Sequence, residues 1–162
     1  MKPVDKRDKE AYRASKTPDN PSVSATARVT NPLPIPTACR YCAGPVKCVN
    51  NATVYGRPFG DWPYMYLCSD CGAYVGLHPF TALPLGTLAD ADLRHARKIN
   101  KGAFERIWQD GYMSRTEAYA WLAQQLGITQ AECHFGLFEA DRCRKAFEVC
   151  VLYLQESKHG KN

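Results

Sequence analysis

Eight cysteines stand in the 162 residues, and four fall in two close pairs, Cys39-Arg-Tyr-Cys42 and Cys68-Ser-Asp-Cys71. Two residues between cysteines let both sulfurs of one tight turn face a single ion. Thiolates of Cys39, Cys42, Cys68 and Cys71 would close a tetrahedral shell around one zinc ion, with no position left for water or substrate. The pattern therefore predicts a structural Zn2+ whose contribution is to folding, in a module too short to build a large core. Gly44 and Gly72 follow the pairs. They are expected to let the backbone fold back and aim amides at the sulfurs.

Other chemistries fit these cysteines less well. A thioredoxin-like site needs one such pair beside a βαβ unit. Disulfides need an oxidising compartment. The N-terminus, MKPVDKRDKEAYRASKTPDNPS, lacks the apolar stretch of a secretory signal, so a reducing cytoplasm is expected. A nucleobase deaminase needs His-x-Glu before Pro-Cys-x-x-Cys. No histidine here has Glu two residues later, and neither pair follows proline. Cys48 could replace a ligand, but reads better as a small strand residue. His78, seven residues after Cys71, could be a ligand or a functional group; we read it as a hydrogen-bonded structural histidine. Cys133, His134, Cys143 and Cys150 are irregularly spaced, and core thiols are the better reading than a second metal. No paired-carboxylate site, Ser/His/Asp set or phosphate-binding glycine loop is visible, nor a site for a small-molecule substrate. A non-enzymatic protein is therefore expected. A nuclease is the enzymatic alternative, with His78 and His134 as its candidates.

The elements that must position these residues follow from pattern. The expected fold class is α+β: a four-cysteine zinc ribbon at 37–80 and a helical region at 81–157, after a disordered basic tail at 1–36. The tail is rich in charge, Pro, Ser and Thr and cannot bury enough apolar area to offset chain entropy. Val46–Val49, Thr53–Tyr55, Tyr64–Leu67 and Ala73–Leu77 are β-favouring runs separated by turn residues. Thr87 with Asp90 suggests a capping box for a helix to about Asp110, its core stripe being Leu93, Ala96, Ile99, Ala103 and Ile107. Ser114 with Glu117 opens a second helix, to Leu126, and Gly127 stops it. Thr129 with Glu132 opens a short third. The last spans about 139–156, with Cys143, Ala146, Phe147, Cys150, Val151 and Leu154 as its buried stripe. No run of eighteen apolar residues occurs, so no membrane helix is expected.

Charge points weakly to an anionic partner. The formal net charge is +5, with +3 of it in residues 1–30. Arg94, Arg97, Lys98 and Lys101 share one sector of the first long helix, and Arg40 and Arg57 accompany the ribbon's aromatics. Such a set could grip nucleic acid. It could equally be a solvated face, and the aromatics a miniature core. Residues 118–136 partly resemble a helix-turn-helix, but Gly136 replaces an aliphatic core residue and the reading segment has no Arg or Lys. A protein-interaction module that occupies a host protein is the alternative, favoured by an exposed patch at Trp62, Tyr64 and Tyr66.

The words CRYC, VYGRPFG, CSDCGAYVGLHPFT, PLGTLAD, AYAWLAQQLGI and ECHFGLFEADRC resemble an uncharacterised zinc-finger-containing family of bacteriophages and prophages. The resemblance spans Cys39–Cys150. It implies a zinc-dependent accessory module acting in the cytoplasm of a bacterial host, and brings no activity with it.

Overall fold

Three short strands carry the cysteine pairs in the computed structural model, which describes residues 5–160. Strands β1 (Val46–Asn50), β2 (Tyr64–Cys68) and β3 (Tyr74–Gly76) form one antiparallel sheet in that order. Val46 lies opposite Cys68, and Tyr66 opposite both Cys48 and Val75. Opposed residues share a face. Val46, Tyr66, Cys68 and Val75 therefore turn one way and form a small core with Cys39, Ala73, Leu77 and Leu88.

The chain divides into two compact units, the first ending at Leu88 and the second beginning at Ala89. The ribbon thus runs eight residues beyond the expected boundary. Leu77 bridges Pro84, and the Leu85 amide donates to the Gly76 carbonyl. Trp62 Nε1 donates to the Thr81 carbonyl and the Tyr66 hydroxyl to that of Ala82. Each is a non-local bond that the residue pattern does not announce.

The segment expected as a disordered tail also differs, its residues 1–4 lying outside the described ones. Helices α1 (Lys6–Ala14) and α2 (Val23–Ala27) occur there, capped by the side chains of Asp5 and Ser22. The Ser22 amide donates to the Phe80 carbonyl at 2.8 Å, and the Arg13 guanidinium lies 5.4 Å from the Phe80 ring centre. Composition counts apolar burial and misses such caps and anchors. Thr53–Tyr55, expected as a strand, lies in a one-turn helix, α3 (Ala52–Tyr55). Asn50 Oδ1 accepts from the Ala52 amide and Gly56 ends the turn in the left-handed region. Local capping overrides β propensity here.

The second unit contains α4 (Ala91–Gln109), α5 (Arg115–Leu126) and α6 (Ala140–His159), with a 3-10 turn at Phe135–Leu137. The Ser114–Glu117 capping box and the left-handed Gly127 stop are as read from the sequence. Asp90 is itself the N-cap of α4, accepting from the Leu93 amide, so the helix starts later than Thr87 implies. Thr129 and Glu132 exchange hydrogen bonds, but only the 3-10 turn, and no α-helix, follows them before α6. Phe135 turns inward onto Phe104 and Phe138 packs on Phe135 instead, which removes the helix-turn-helix reading. Phe104, Ile107, Leu122, Cys143, Ala146 and Cys150 are fully buried, so the thiols are core residues as expected. The buried face of α4 is Leu93, Asn100, Phe104 and Ile107; Ile99 is 55% exposed. The face rotates because Phe104 offers more apolar area than Ala96 or Ala103. Phe147, expected inside, is 40% exposed. Among the described residues no helix is long and apolar enough to cross a membrane.

Candidate metal centre

Two backbone turns of the same construction hold the four sulfurs. The Ala43 amide donates to the Cys39 carbonyl, as Gly72 does to Cys68, both at 2.9 Å. The Cys39 amide donates to Gly44 and the Cys68 amide to Ala73, closing each knuckle. Amides of Tyr41 and Gly44 point at the sulfurs of Cys39 and Cys42, both at 3.4 Å. Such donors stabilise thiolate charge.

The knuckles bring Cys39 Sγ to 3.5 Å from Cys71 Sγ, and Cys42 Sγ to 3.5 Å from Cys68 Sγ. All four sulfurs lie within 4.8 Å of one another. Sulfurs about 2.3 Å from a tetrahedral zinc sit about 3.8 Å apart, so the set fits that ion. Cys39 and Cys68 are buried, whereas Cys42 and Cys71 are exposed. Cys48 stands on β1 opposite Tyr66, outside the cluster.

The residue after each second cysteine sits in the left-handed region: Gly72 at φ 81° and Ala43 at φ 60°. Sequence reasoning expected Gly44 to serve this purpose in the first knuckle. Gly44 meets a spatial need instead: a Cβ there would lie 2.5 Å from Asp70 Oδ2. The signal was available in the match between Cys42-Ala43 and Cys71-Gly72. Left-handed backbone costs an L-residue about 1–2 kcal/mol. Gly72→Ala should therefore destabilise the zinc-loaded ribbon by about 1 kcal/mol, and Ala43→Gly should leave it unchanged or slightly more stable. Thermal melts of the two variants check the opposite signs.

Burial pushes the Cys39 thiol up, but the Tyr41 and Cys42 amides and the Cys71 and Cys68 thiols outweigh it and bring it to about 7. The Gly44 amide favours the Cys42 thiolate, yet Cys68, burial, Cys71 and Cys39 push that thiol up to about 12. At Cys71 the Ala73 amide lowers, but Cys39 and burial raise the thiol overall. Cys39 thus takes a negative charge readily while Cys42 and Cys71 resist the next, a repulsion that a divalent cation cancels. Cys42 and Cys71 hold protons at neutral pH in the folded site, as ordinary thiols do in an unfolded chain, so metal binding must expel at least two. Protons then compete as pH falls, and apparent zinc affinity should drop at least ~100-fold per pH unit below neutrality. Competition with a chromophoric chelator across that range measures the slope.

The sequence profile of a family described as a zinc-finger-containing domain matches residues 35–152. The chain belongs to this family. The match takes in both knuckles of the zinc finger, and the four cysteines hold one structural zinc. No curated protein and no solved structure matches the chain.

The other residues singled out in this zinc-finger chain fall in both units. Arg94, Arg97, Lys98 and Lys101 lie on α4, whereas Arg40 and Arg57 belong to the zinc unit. The Arg94 guanidinium donates to the Ala89 carbonyl at 2.7 Å, and Arg97 Nε to the Phe138 carbonyl at 3.1 Å. Lys101 pairs with Glu105 at 3.3 Å, and Lys98 is exposed. Arg97 falls between Leu93 and Asn100 on the inward face, so the expected basic stripe is partly a structural brace. Arg40 is exposed, lies 5.2 Å from the Tyr41 ring centre and donates to the Leu88 carbonyl; Arg57 is exposed on the β1–β2 connection. His134 Nδ1 accepts from the Gly136 amide at 3.0 Å and caps the 3-10 turn. His78 is half-buried, burial lowers its pKa, and its backbone closes the turn to Leu83. Tyr66 is buried and the Trp62 indole is bonded inward, so the patch named for a host protein is packed.

Proposed function

We propose that this chain is a non-enzymatic accessory protein that uses its zinc unit to bind nucleic acid. The observation that carries the reading is where the excess charge lies. Residues 5–88 hold nine Lys/Arg against six Asp/Glu, whereas residues 89–160 hold ten of each. All the net positive charge of the described residues is thus in the zinc unit, including Lys6, Arg7 and Lys9 on the fully exposed α1 and Arg40 on a knuckle. Arg40, which also reaches the Leu88 carbonyl at 3.5 Å, sets a cation that can face phosphate beside the aromatic surface of Tyr41. The engaged Arg94 and Arg97 give α4 a lesser part than the sequence suggested. A phage or prophage origin and action in the cytoplasm of a bacterial host belong to the same proposal.

The test is binding of labelled DNA and RNA by the zinc-loaded protein at several salt concentrations. Affinity should fall steeply with salt. No binding at low salt would remove the reading. Unaltered behaviour of a His78→Ala, His134→Ala double variant in a nuclease assay would remove the candidates of the nuclease alternative.

A further inference from the structure

The connection between β1 and β2 is built to hold an aromatic side chain out in solvent. Asn51, only 7% exposed, donates from Nδ2 to the Phe59 carbonyl at 2.9 Å and accepts from the Phe59 amide at 3.0 Å. The Phe59 backbone is thus pinned on both sides by a buried amide. Gly56 and Gly60 flank the loop in the left-handed region, at φ 81° and 80°. Yet the Phe59 side chain is 71% exposed and adds little to any core. A buried polar anchor serving an outward Phe is the signature of presentation rather than packing.

The ring does not stand alone. Tyr55, half exposed, packs edge-on to Phe59 at 6.3 Å and to Tyr74 at 6.2 Å. Tyr74 lies opposite Leu67, which lies opposite Lys47, so these three cross one face of the sheet in a row. Arg57 stands within the loop; Asp61 follows it, just past Gly60. The result is a stepped aromatic surface with Lys47 in the same row of the sheet and Arg57 exposed within the loop.

From this we infer that the Tyr55–Phe59–Tyr74 surface takes unpaired bases of single-stranded nucleic acid, with Arg57 and Lys47 on the phosphates. The inference rests on the nucleic-acid reading above and narrows it. Solvent-exposed rings such as Phe59 and Tyr55 match bases that are free to stack, whereas duplex bases lie stacked inside the helix and expose only edges.

Fluorescence anisotropy of the full zinc-loaded chain with labelled oligothymidylate, oligouridylate and a duplex of equal length tests it. Single strands of either sugar should bind more tightly than the duplex. Phe59→Ala should weaken single-strand binding about tenfold and leave duplex binding and the melting temperature unchanged, and Phe59→Trp should retain affinity. A silent Phe59→Ala, or a preference for duplex, overturns this inference while nucleic-acid binding stands. Binding of neither form removes the broader reading and this one with it.

Discussion

Stripping the metal with a strong chelator should unfold the ribbon and leave the helical unit intact. The first unit's core is eight residues, two of which, Cys39 and Cys68, are ligands. A core that small supplies a few kcal/mol at most. Structural zinc supplies about 10–16 kcal/mol of apparent binding free energy, as large as the whole stability of an ordinary domain. The metal term therefore decides whether the sheet exists. The second unit has its own core around Phe104, Leu122 and Cys150, with no ligand in it. Chelation should expose the amides of β1–β3 to rapid hydrogen exchange while those of α4–α6 stay protected. Cys68→Ser should reproduce the result, since Cys68 is fully buried and its hydroxyl replacement ligates poorly and is left among apolar neighbours without a hydrogen-bond partner.

The second large effect is Phe104→Ala in the helical unit. Phe104 is fully buried and packs its ring 4.8 Å from Tyr119 and 5.8 Å from Phe135. Truncation removes the transfer free energy of the ring and leaves a cavity between α4, α5 and the 3-10 turn. The expected loss is about 3–5 kcal/mol. At about 4–8 °C per kcal/mol for a unit of this size, the helical melting transition should fall by roughly 12 °C or more. Phe147→Ala, at a 40% exposed site on α6, should cost no more than about 1 kcal/mol. Denaturation of the two variants, read by helical circular dichroism, separates the true core phenylalanine from the one that periodicity alone suggested.

The metal centre was legible because its chemistry is local in sequence. Cysteine spacing gives the ligands, and the strand runs at Val46, Tyr64 and Tyr74 give the sheet that joins them. Helix ends marked by Ser114–Glu117 and Gly127 were equally readable, since caps act within one turn. The α4 face was not: two stripes compete on that helix, and only tertiary packing shows that Phe104 wins. The same applies to Arg97, which periodicity cannot assign to the Phe138 carbonyl. The Phe59 loop was missed for a different reason. Thr53–Tyr55 has strand propensity, and what makes it a turn is the side chains of Asn50 and Asn51 bonding to nearby and more distant backbone. Ala43 was missed because alanine does not advertise a left-handed backbone as glycine does.

X-ray absorption at the zinc edge of the purified chain asks the decisive question. Four sulfur neighbours at about 2.3 Å, with one zinc per chain, are expected. A shell containing nitrogen or oxygen in place of sulfur, or a Cys39/Cys42/Cys68/Cys71 quadruple serine variant that still carries one zinc, would contradict it.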